Sequence, residues 1–441
     1  MSSLNILHIN KLHRPMGGAE TSYFETAGIL EKHGCKAFYF AMQSPGAVRC
    51  STEEFFVPQL NSQRDTGLLQ RLKLAGRCLY SKTSVRNLTL LLKSNRIDIA
   101  HIHDIDRQMS PSVLHALKKA NIPVVMTLHN YKLVCPSFRM LRNYNLCQKC
   151  SQGKYLSALR EKCIKNSYLR SGLAAAENFL HNTVLDIYDN VDLFIAPSLF
   201  LKNKFLEMGF QKKIEHLPYI IDVERFSEET VPAQDIGRKT ITYFGRLVRE
   251  KGVYVLLDAA ERLLKRYTSD ELVITIIGEG PLEKKLKAEV LKRGLDNVIF
   301  IGFMTGEPLY REIRKSIATV LPSQWYENYP VAIEESFALA RPVIASRIGG
   351  IPELVKDKVT GLLFEPGDAA GLAAQIELLV ENPAMSISQG QAAREFALKN
   401  LDQALNFHRL RGLYDEAIRI NGKAGKKKFY GSSKKKSTNE I

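Results

Sequence analysis

Two cations and two carboxylates stand out by type and spacing. Phe244-Gly245-Arg246 ends one apolar run, and Lys251-Gly252 follows just before an amphipathic stretch of helical length. Cations at that junction can neutralise a diphosphate. Further on, Pro322-Ser323-Gln324-Trp325-Tyr326-Glu327-Asn328-Tyr329-Pro330 runs into Val331-Ala332-Ile333-Glu334-Glu335, with seven residues between Glu327 and Glu335. Glu327 falls in a loop and Glu335 about a turn into the next helix, so the two can accept hydrogen bonds from different hydroxyl groups. A third feature, His13-Arg14-Pro15-Met16-Gly17-Gly18-Ala19-Glu20, leads from the first apolar run into a helix. Adjacent glycines there let backbone N–H groups approach an anion. Taken singly, these are also solvated cations, a chance glutamate pair and a tight turn. Their order along the chain is what gives them weight.

The elements that must position them alternate regularly. Strands are expected at Asn5–Ile9, Ala37–Phe40, Ile97–Ile102, Val124–Leu128, Leu193–Ala196 and Ile214–Leu217. A second set is expected at Thr240–Tyr243, Leu272–Ile277, Val298–Ile301, Thr319–Leu321, Val343–Ala345 and Gly361–Phe364. Amphipathic helices fall between them, as at Val253–Leu264, Leu282–Arg293, Glu307–Ser316 and Ala332–Leu339. Such alternation, repeated twice, predicts an α/β chain of two doubly wound, Rossmann-like domains. The expected division is 1–221, 222–405, a helix over 406–421 packing back on the first domain, and a basic disordered tail over 422–441. A polar stretch with Pro and Gly near 222–238 marks the break. In open parallel sheets ligands bind beyond the carboxyl ends of the strands, so two facing domains place the site in the cleft between them.

With Gly278-Glu279-Gly280-Pro281, Gly349-Gly350-Ile351-Pro352-Glu353 and Thr360-Gly361-Leu362-Leu363 added, the ordered set resembles the family 4 glycosyltransferases of the GT-B fold. The resemblance covers nearly the whole chain before the tail. It implies transfer of a hexosyl-type sugar from a nucleotide-diphosphate donor with retention of anomeric configuration. It makes Arg246 and Lys251 the diphosphate ligands, Glu335 the ribose ligand and Glu327 the residue that orients the donor sugar. Gly17 and Gly18 would approach the phosphates and the acceptor, and His129, in Thr127-Leu128-His129-Asn130, would lie beside the donor sugar. Asn328 and Tyr329 complete the implied donor site. The chain departs from the family where Glu327-Asn328-Tyr329-Pro330 replaces Glu-Gly-Phe-Gly, and where Tyr219 stands in place of the Asn of Pro-Asn-Gly-Val-Asp. The second departure reads as a detail of the linker.

Asp104-x-Asp106 mimics the metal-binding pair of the other major glycosyltransferase fold, but the double α/β layout argues against that role. No cofactor or catalytic divalent metal is expected. His101 and His103 are expected either to face the cleft or to cap their strand. Cys135, Cys147, Cys150 and Cys163, in an insertion over about 135–165, form a possible structural zinc set, Cys147-x2-Cys150 having knuckle spacing.

The net charge of +16 is uneven: +13 over residues 1–221, −3 over 222–421 and +6 over 422–441. Residues 66–97 carry seven Lys and Arg, no acid before Asp98 and many leucines, which suits an anionic membrane surface or a lipid-linked acceptor. The acceptor is expected to be a glycan or lipid-linked sugar of surface-glycan synthesis. A nucleic-acid-binding role needs aromatic residues among these cations, and only Tyr80 is offered, so no nucleic acid is expected. An epimerase of the same fold is the alternative enzyme; a phosphorylase lacks its lysine motif. Few cysteines, no signal-like start and no apolar run of spanning length point to a cytoplasmic protein, peripheral on the inner membrane face.

Overall fold

The computed structural model describes residues 3–15, 17–60, 67–226, 239–401 and 403–433. Met16, Thr66, most of the linker (227–238) and the end of the tail (434–441) lie outside the described residues.

The first sheet is built from β1 (Asn5–Leu12), β2 (Lys36–Met42), β3 (Ile99–Ile102) and β4 (Val124–Thr127). A two-stranded hairpin, β5 (Leu141–Arg142) with β6 (Asn145–Leu146), interrupts the series before β7 (Leu193–Ala196) and β8 (Ile214–His216) complete the sheet. Its order is β2-β1-β3-β4-β7-β8, every pair parallel. The second sheet contains β9 (Lys239–Phe244), β10 (Leu272–Ile277), β11 (Val298–Gly302), β12 (Ala318–Leu321), β13 (Val343–Ser346) and β14 (Gly361–Phe364). Its order is β11-β10-β9-β12-β13-β14, again all parallel. Strands such as Leu272–Ile277 are buried along their whole length because helices cover both faces. That is why they read as unbroken apolar runs rather than alternating ones.

All twelve expected strands of the two sheets are present, with ends shifted by a few residues. The topology then locates the crevices. Strand order reverses beside β1 in one sheet and beside β9 in the other, so loops leaving β1 and β3, and β9 and β12, splay apart. Those loops carry the glycine pair, His103, Arg246 and Glu327.

The last helix, Gln403–Ser433, returns to the first domain. Phe407, Leu410, Tyr414 and Ala417 pack with Leu4, Ile6, Ile99 and Val125. Burying each large apolar side chain stabilises this docking by about 1.5–3 kcal/mol before entropy is subtracted. The tail expected to be disordered from Gly422 instead continues this helix through Ser433. Of the basic segment, helix Lys82–Ser94 turns Leu88 and Leu91 into the core, whereas helix Leu68–Leu79 leaves Leu69 84% and Leu72 60% exposed.

Candidate active site

The loop after β9 is held in a tight shape. Tyr243 donates its hydroxyl to the Arg246 carbonyl at 2.9 Å, and the Arg246 side chain stays exposed. Gly252 has φ 72°, and a Cβ there would sit 1.6 Å from the Pro322 carbonyl oxygen. Only glycine permits that approach, which brings Lys251 against the loop after β12. Lys251 Nζ reaches Glu327 Oε1 at 2.7 Å, and Ser323 donates to the same oxygen. Glu327 is only 4% exposed. Gly349, at φ 63°, passes so close to the Glu327 backbone that a Cβ would lie 2.3 Å from its carbonyl oxygen, which accepts from Gly350 N at 2.8 Å. The glycine turns therefore serve to seat one carboxylate.

Glu335 lies on helix Val331–Ala338. Burial raises its carboxyl to a pKa of about 7, the Arg225 charge opposing and the Glu25 charge adding to the rise. Beside it, Glu334 is fully buried, and its Oε1 has no hydrogen-bond partner. Burial pushes Glu334 well above the ordinary carboxylate range.

From the first domain, Gly18 opens helix Gly18–Lys32. A Cβ on Gly18 would lie 3.2 Å from Val331 Cγ2, so the glycine loop closes directly over the start of the helix bearing Glu335. Gly17 precedes it as the N-cap, in extended backbone. His129, past the end of β4, has both ring nitrogens engaged: Nδ1 with the Tyr219 hydroxyl at 2.6 Å, and Nε2 with His103 Nδ1 at 3.0 Å. Burial lowers its pKa to about 4, so the ring is neutral at pH 7.

The structure corrects several sequence readings. His101 neither faces the cleft nor caps its strand: it is buried, hydrogen-bonded to Tyr414 and Thr127 at 2.8 and 2.7 Å. Tyr219 is no linker detail but the direct partner of His129. Asn328 spends its side chain on the first domain, donating to the Leu128 carbonyl and accepting from Ser198, both at 3.1 Å. Tyr329 is buried edge-on against Tyr219, with ring centroids 5.5 Å apart. The Asn328 side chain is thus committed to the first domain, which leaves its backbone for a donor. Asp104 is ion-paired with Lys11 at 2.6 Å and also accepts from the Asp106 amide.

Contacts that the motifs did not foretell hold the two domains together. Glu353 accepts from Leu199 N and Phe200 N, at 2.8 and 2.5 Å, at the N-terminus of helix Leu199–Glu207. A carboxylate there satisfies free amides and the helix dipole together. Tyr131 donates to the Tyr326 carbonyl at 3.2 Å, and Arg139 pairs with Glu250 at 2.9 Å. The Ser198-Leu199 junction, a serine before an apolar helix, was the available cue.

The four insertion cysteines are free thiols gathered in one neighbourhood. Burial, then Cys135, Cys163 and Cys147, push Cys150 up to about 12; burial, then Cys135 and Cys147, raise Cys163 to about 11. Among the described residues, the group with three ligand atoms within 4.8 Å of one another is His8, His101 and His103, not the cysteines. A tetrahedral thiolate cage has Zn–S bonds of about 2.3 Å, so the sulphurs would have to draw together and lose protons to close on zinc.

Two facing parallel-sheet domains, with a cation–carboxylate site at the switch point of the second, define a glycosyltransferase of the GT-B architecture. Family models bear this out: "Glycosyltransferase Family 4" matches residues 16–225 and "Glycosyl transferases group 1" matches 225–396. The chain belongs to the family 4 glycosyltransferases. It is 30% identical over 213 residues to an O-antigen chain mannosyltransferase C of Escherichia coli, covering 46% of this chain and 55% of that one. The chain thus spans about half the length of the curated relatives it matches. In fold it is similar to sucrose-phosphate synthase of Thermosynechococcus elongatus, with TM-score 0.69, 19% identity, and coverage of 94% of this chain and 99% of that one. Anabaena HepE in complex with UDP-glucose matches at TM-score 0.63 and 18% identity, covering 93% and 99%.

Proposed function

We propose that the protein transfers a hexosyl group from a nucleoside-diphosphate sugar to a glycan or lipid-linked acceptor, with retention of configuration, in surface-glycan synthesis. The observation that carries this reading is the placement of Arg246, Lys251 and Glu327 at the β9/β12 crevice, with Gly18 of the other domain touching Val331 across it. Arg246 and Lys251 neutralise the diphosphate as it departs, and Glu335 accepts from the ribose hydroxyls. Glu327, held by Lys251 and Ser323, orients the sugar. His129, neutral at pH 7, lines the sugar from the first domain. Closure of the glycine loop shields the oxocarbenium-like sugar from water.

The relatives' names support the donor and acceptor classes: HepE is described with UDP-glucose, and the Escherichia coli relative acts in O-antigen chain synthesis. Membrane docking through helix Leu68–Leu79 and the basic tail, from the cytoplasmic face, belongs to the same proposal; no described helix is long and apolar enough to cross a membrane. A structural zinc at Cys135, Cys147, Cys150 and Cys163 is its remaining part. Metal analysis near one zinc per chain supports this zinc, and zinc-free folded protein removes it.

The test is a thermal-shift and mass-spectrometric screen with UDP-glucose, UDP-galactose, UDP-N-acetylglucosamine and GDP-mannose. One of them should stabilise the protein and be consumed, and NMR of the product should show the donor's anomeric configuration. Failure of all four to bind or react, or an inverted product, overturns the reading.

A further inference from the structure

We infer that Tyr219 is a positioning residue for His129, its phenol fixing which imidazole nitrogen carries the proton and tying the ring's orientation to the second domain. The inference rests on the proposed role of His129 beside the donor sugar.

The hydroxyl of Tyr219 lies 2.6 Å from His129 Nδ1, its one hydrogen-bond partner among the described residues. If Nδ1 were the donor, the phenolic proton would be left with no acceptor in a site only 7% exposed, at the cost of a lost buried hydrogen bond. The phenol therefore donates and Nδ1 accepts. Burial also holds Tyr219 well above its usual pKa, so the proton to be donated is present at all ordinary pH. With Nδ1 accepting, the ring proton sits on Nε2 and points to His103 Nδ1 at 3.0 Å. His103 must then carry its own proton on Nε2, a nitrogen that is buried without a partner and close to His8. The direction of the whole chain, Tyr219 to His129 to His103, follows from one hydroxyl. A donor-sugar hydroxyl competes with His103 for the Nε2 proton, while Nδ1 stays committed to the phenol.

The second half of the inference comes from where Tyr219 sits. It leaves β8 on the segment between the domains, stacks on His129 with centroids 5.4 Å apart, and meets the Tyr329 ring edge-on. Tyr329 follows Glu327 and Asn328, whose amide is bound to the Leu128 carbonyl next to His129. A shift of the second domain would move the Tyr329 ring, and with it the phenol on His129. The groups facing His129 are thus Tyr219 from the linker, Tyr329 behind it, His101 of β3, His103 and Asp104 after β3, and Lys11 of β1.

The test compares Tyr219→Phe with wild type and with His129→Ala, the last also assigning the His129 signals. In 15N-histidine spectra at pH 7, wild-type His129 should show a bare Nδ1 and a protonated Nε2. Tyr219→Phe should move it toward a mixture of tautomers. The phenol's donation favours the neutral ring, so its loss should raise the His129 pKa and move the acid limb of the kcat profile upward by about one pH unit. The kcat should fall about tenfold with little change in donor KM, for the nucleotide sugar consumed in the screen. Unchanged His129 nitrogen signals in Tyr219→Phe overturn the inference. A changed tautomer together with full activity of His129→Ala upholds the positioning and instead removes His129 from the reaction.

Discussion

Lys251 and Glu327 form an ion pair at 2.7 Å that joins the loop after β9 to the loop after β12, across the point where strand order reverses. The pair brings the proposed phosphate-binding cation and the proposed sugar-orienting carboxylate to a single place. It also makes each dependent on the other for its position. Replacing Glu327 by Ala should cut transfer by about 10²–10³-fold, and Lys251→Ala by a similar factor. Their effects on stability should differ. Glu327 is buried, and its loss strands Lys251 and Ser323, which should cost about 3 kcal/mol in urea unfolding. Lys251 keeps 21% of its side chain exposed and can reach water when left alone, whereas its own removal leaves the Glu327 carboxylate buried with Ser323 only, so Lys251→Ala should cost more than the removal of Glu327. Two mutants with wild-type transfer would remove the site assignment.

Glu335 supplies a pH dependence whose sign can be worked out. Its pKa of about 7 means that the carboxyl is about half protonated at neutral pH. In the proposed role of Glu335, ribose hydroxyls donate to the ionised form and favour it. Nucleotide binding should therefore release a fraction of a proton near pH 7, and affinity should rise as pH goes from 6 to 8. Calorimetry with UDP-glucose and GDP-mannose, whose esterified phosphates do not titrate near pH 7, in buffers of different ionisation enthalpy reads the release directly. In Glu335→Gln the release should vanish and the affinity become flat with pH.

How much of this was legible in the sequence differs by residue. The strands were, because a buried parallel strand is a short run such as Leu272–Ile277 with turn residues at its ends. The spacing of Arg246 to Lys251, and of Glu327 to Glu335, was, because one loop, or a loop and the helix after it, sets each pair; the contact of Lys251 with Glu327 over 76 residues was not. The partner of His129 was not: Tyr219 lies ninety residues away, and only packing of the linker against β4 brings the phenol to the ring. Glu353 was legible as part of a motif but not as a cap on a helix of the other domain, since no local pattern encodes a contact over 153 residues. Helix Leu68–Leu79 could not be separated from Lys82–Ser94 by amphipathicity alone. Both have an apolar side, and only the tertiary fold decides which side is covered.

The glycines differ in what a methyl group would meet. Gly252→Ala places a Cβ 1.6 Å from a backbone oxygen at φ 72° and must displace the β12 loop. It should destabilise the protein by more than about 2 kcal/mol and weaken UDP or GDP binding at least tenfold. Gly28 sits within helix Gly18–Lys32 with open space around its Cβ position. Gly28→Ala should stabilise by about 0.5–1 kcal/mol and leave binding unchanged. Thermal unfolding and nucleotide titration of the two variants side by side separate the local clash from a general intolerance of substitution.

Leu69 and Leu72 are exposed on a helix that also bears Lys73, within a half of the chain carrying +13. Apolar side chains that enter the acyl boundary and cations that stay at the headgroups act together, and only the second contribution is screened by salt. Wild-type protein should therefore bind vesicles of phosphatidylglycerol and phosphatidylcholine, but not phosphatidylcholine alone. Raising salt from 50 to 500 mM should weaken the binding, since the Debye length falls from more than 10 Å at about 0.05 M to a few ångströms toward 1 M. The double variant Leu69→Glu/Leu72→Glu should lose at least tenfold in partitioning, because it removes buried apolar area and adds repulsion from the lipid charge. Neither side chain is buried in the fold, so thermal stability should stay within about 0.5 kcal/mol of wild type. Equal vesicle binding by variant and wild type would move the membrane contact off this helix and onto the basic tail.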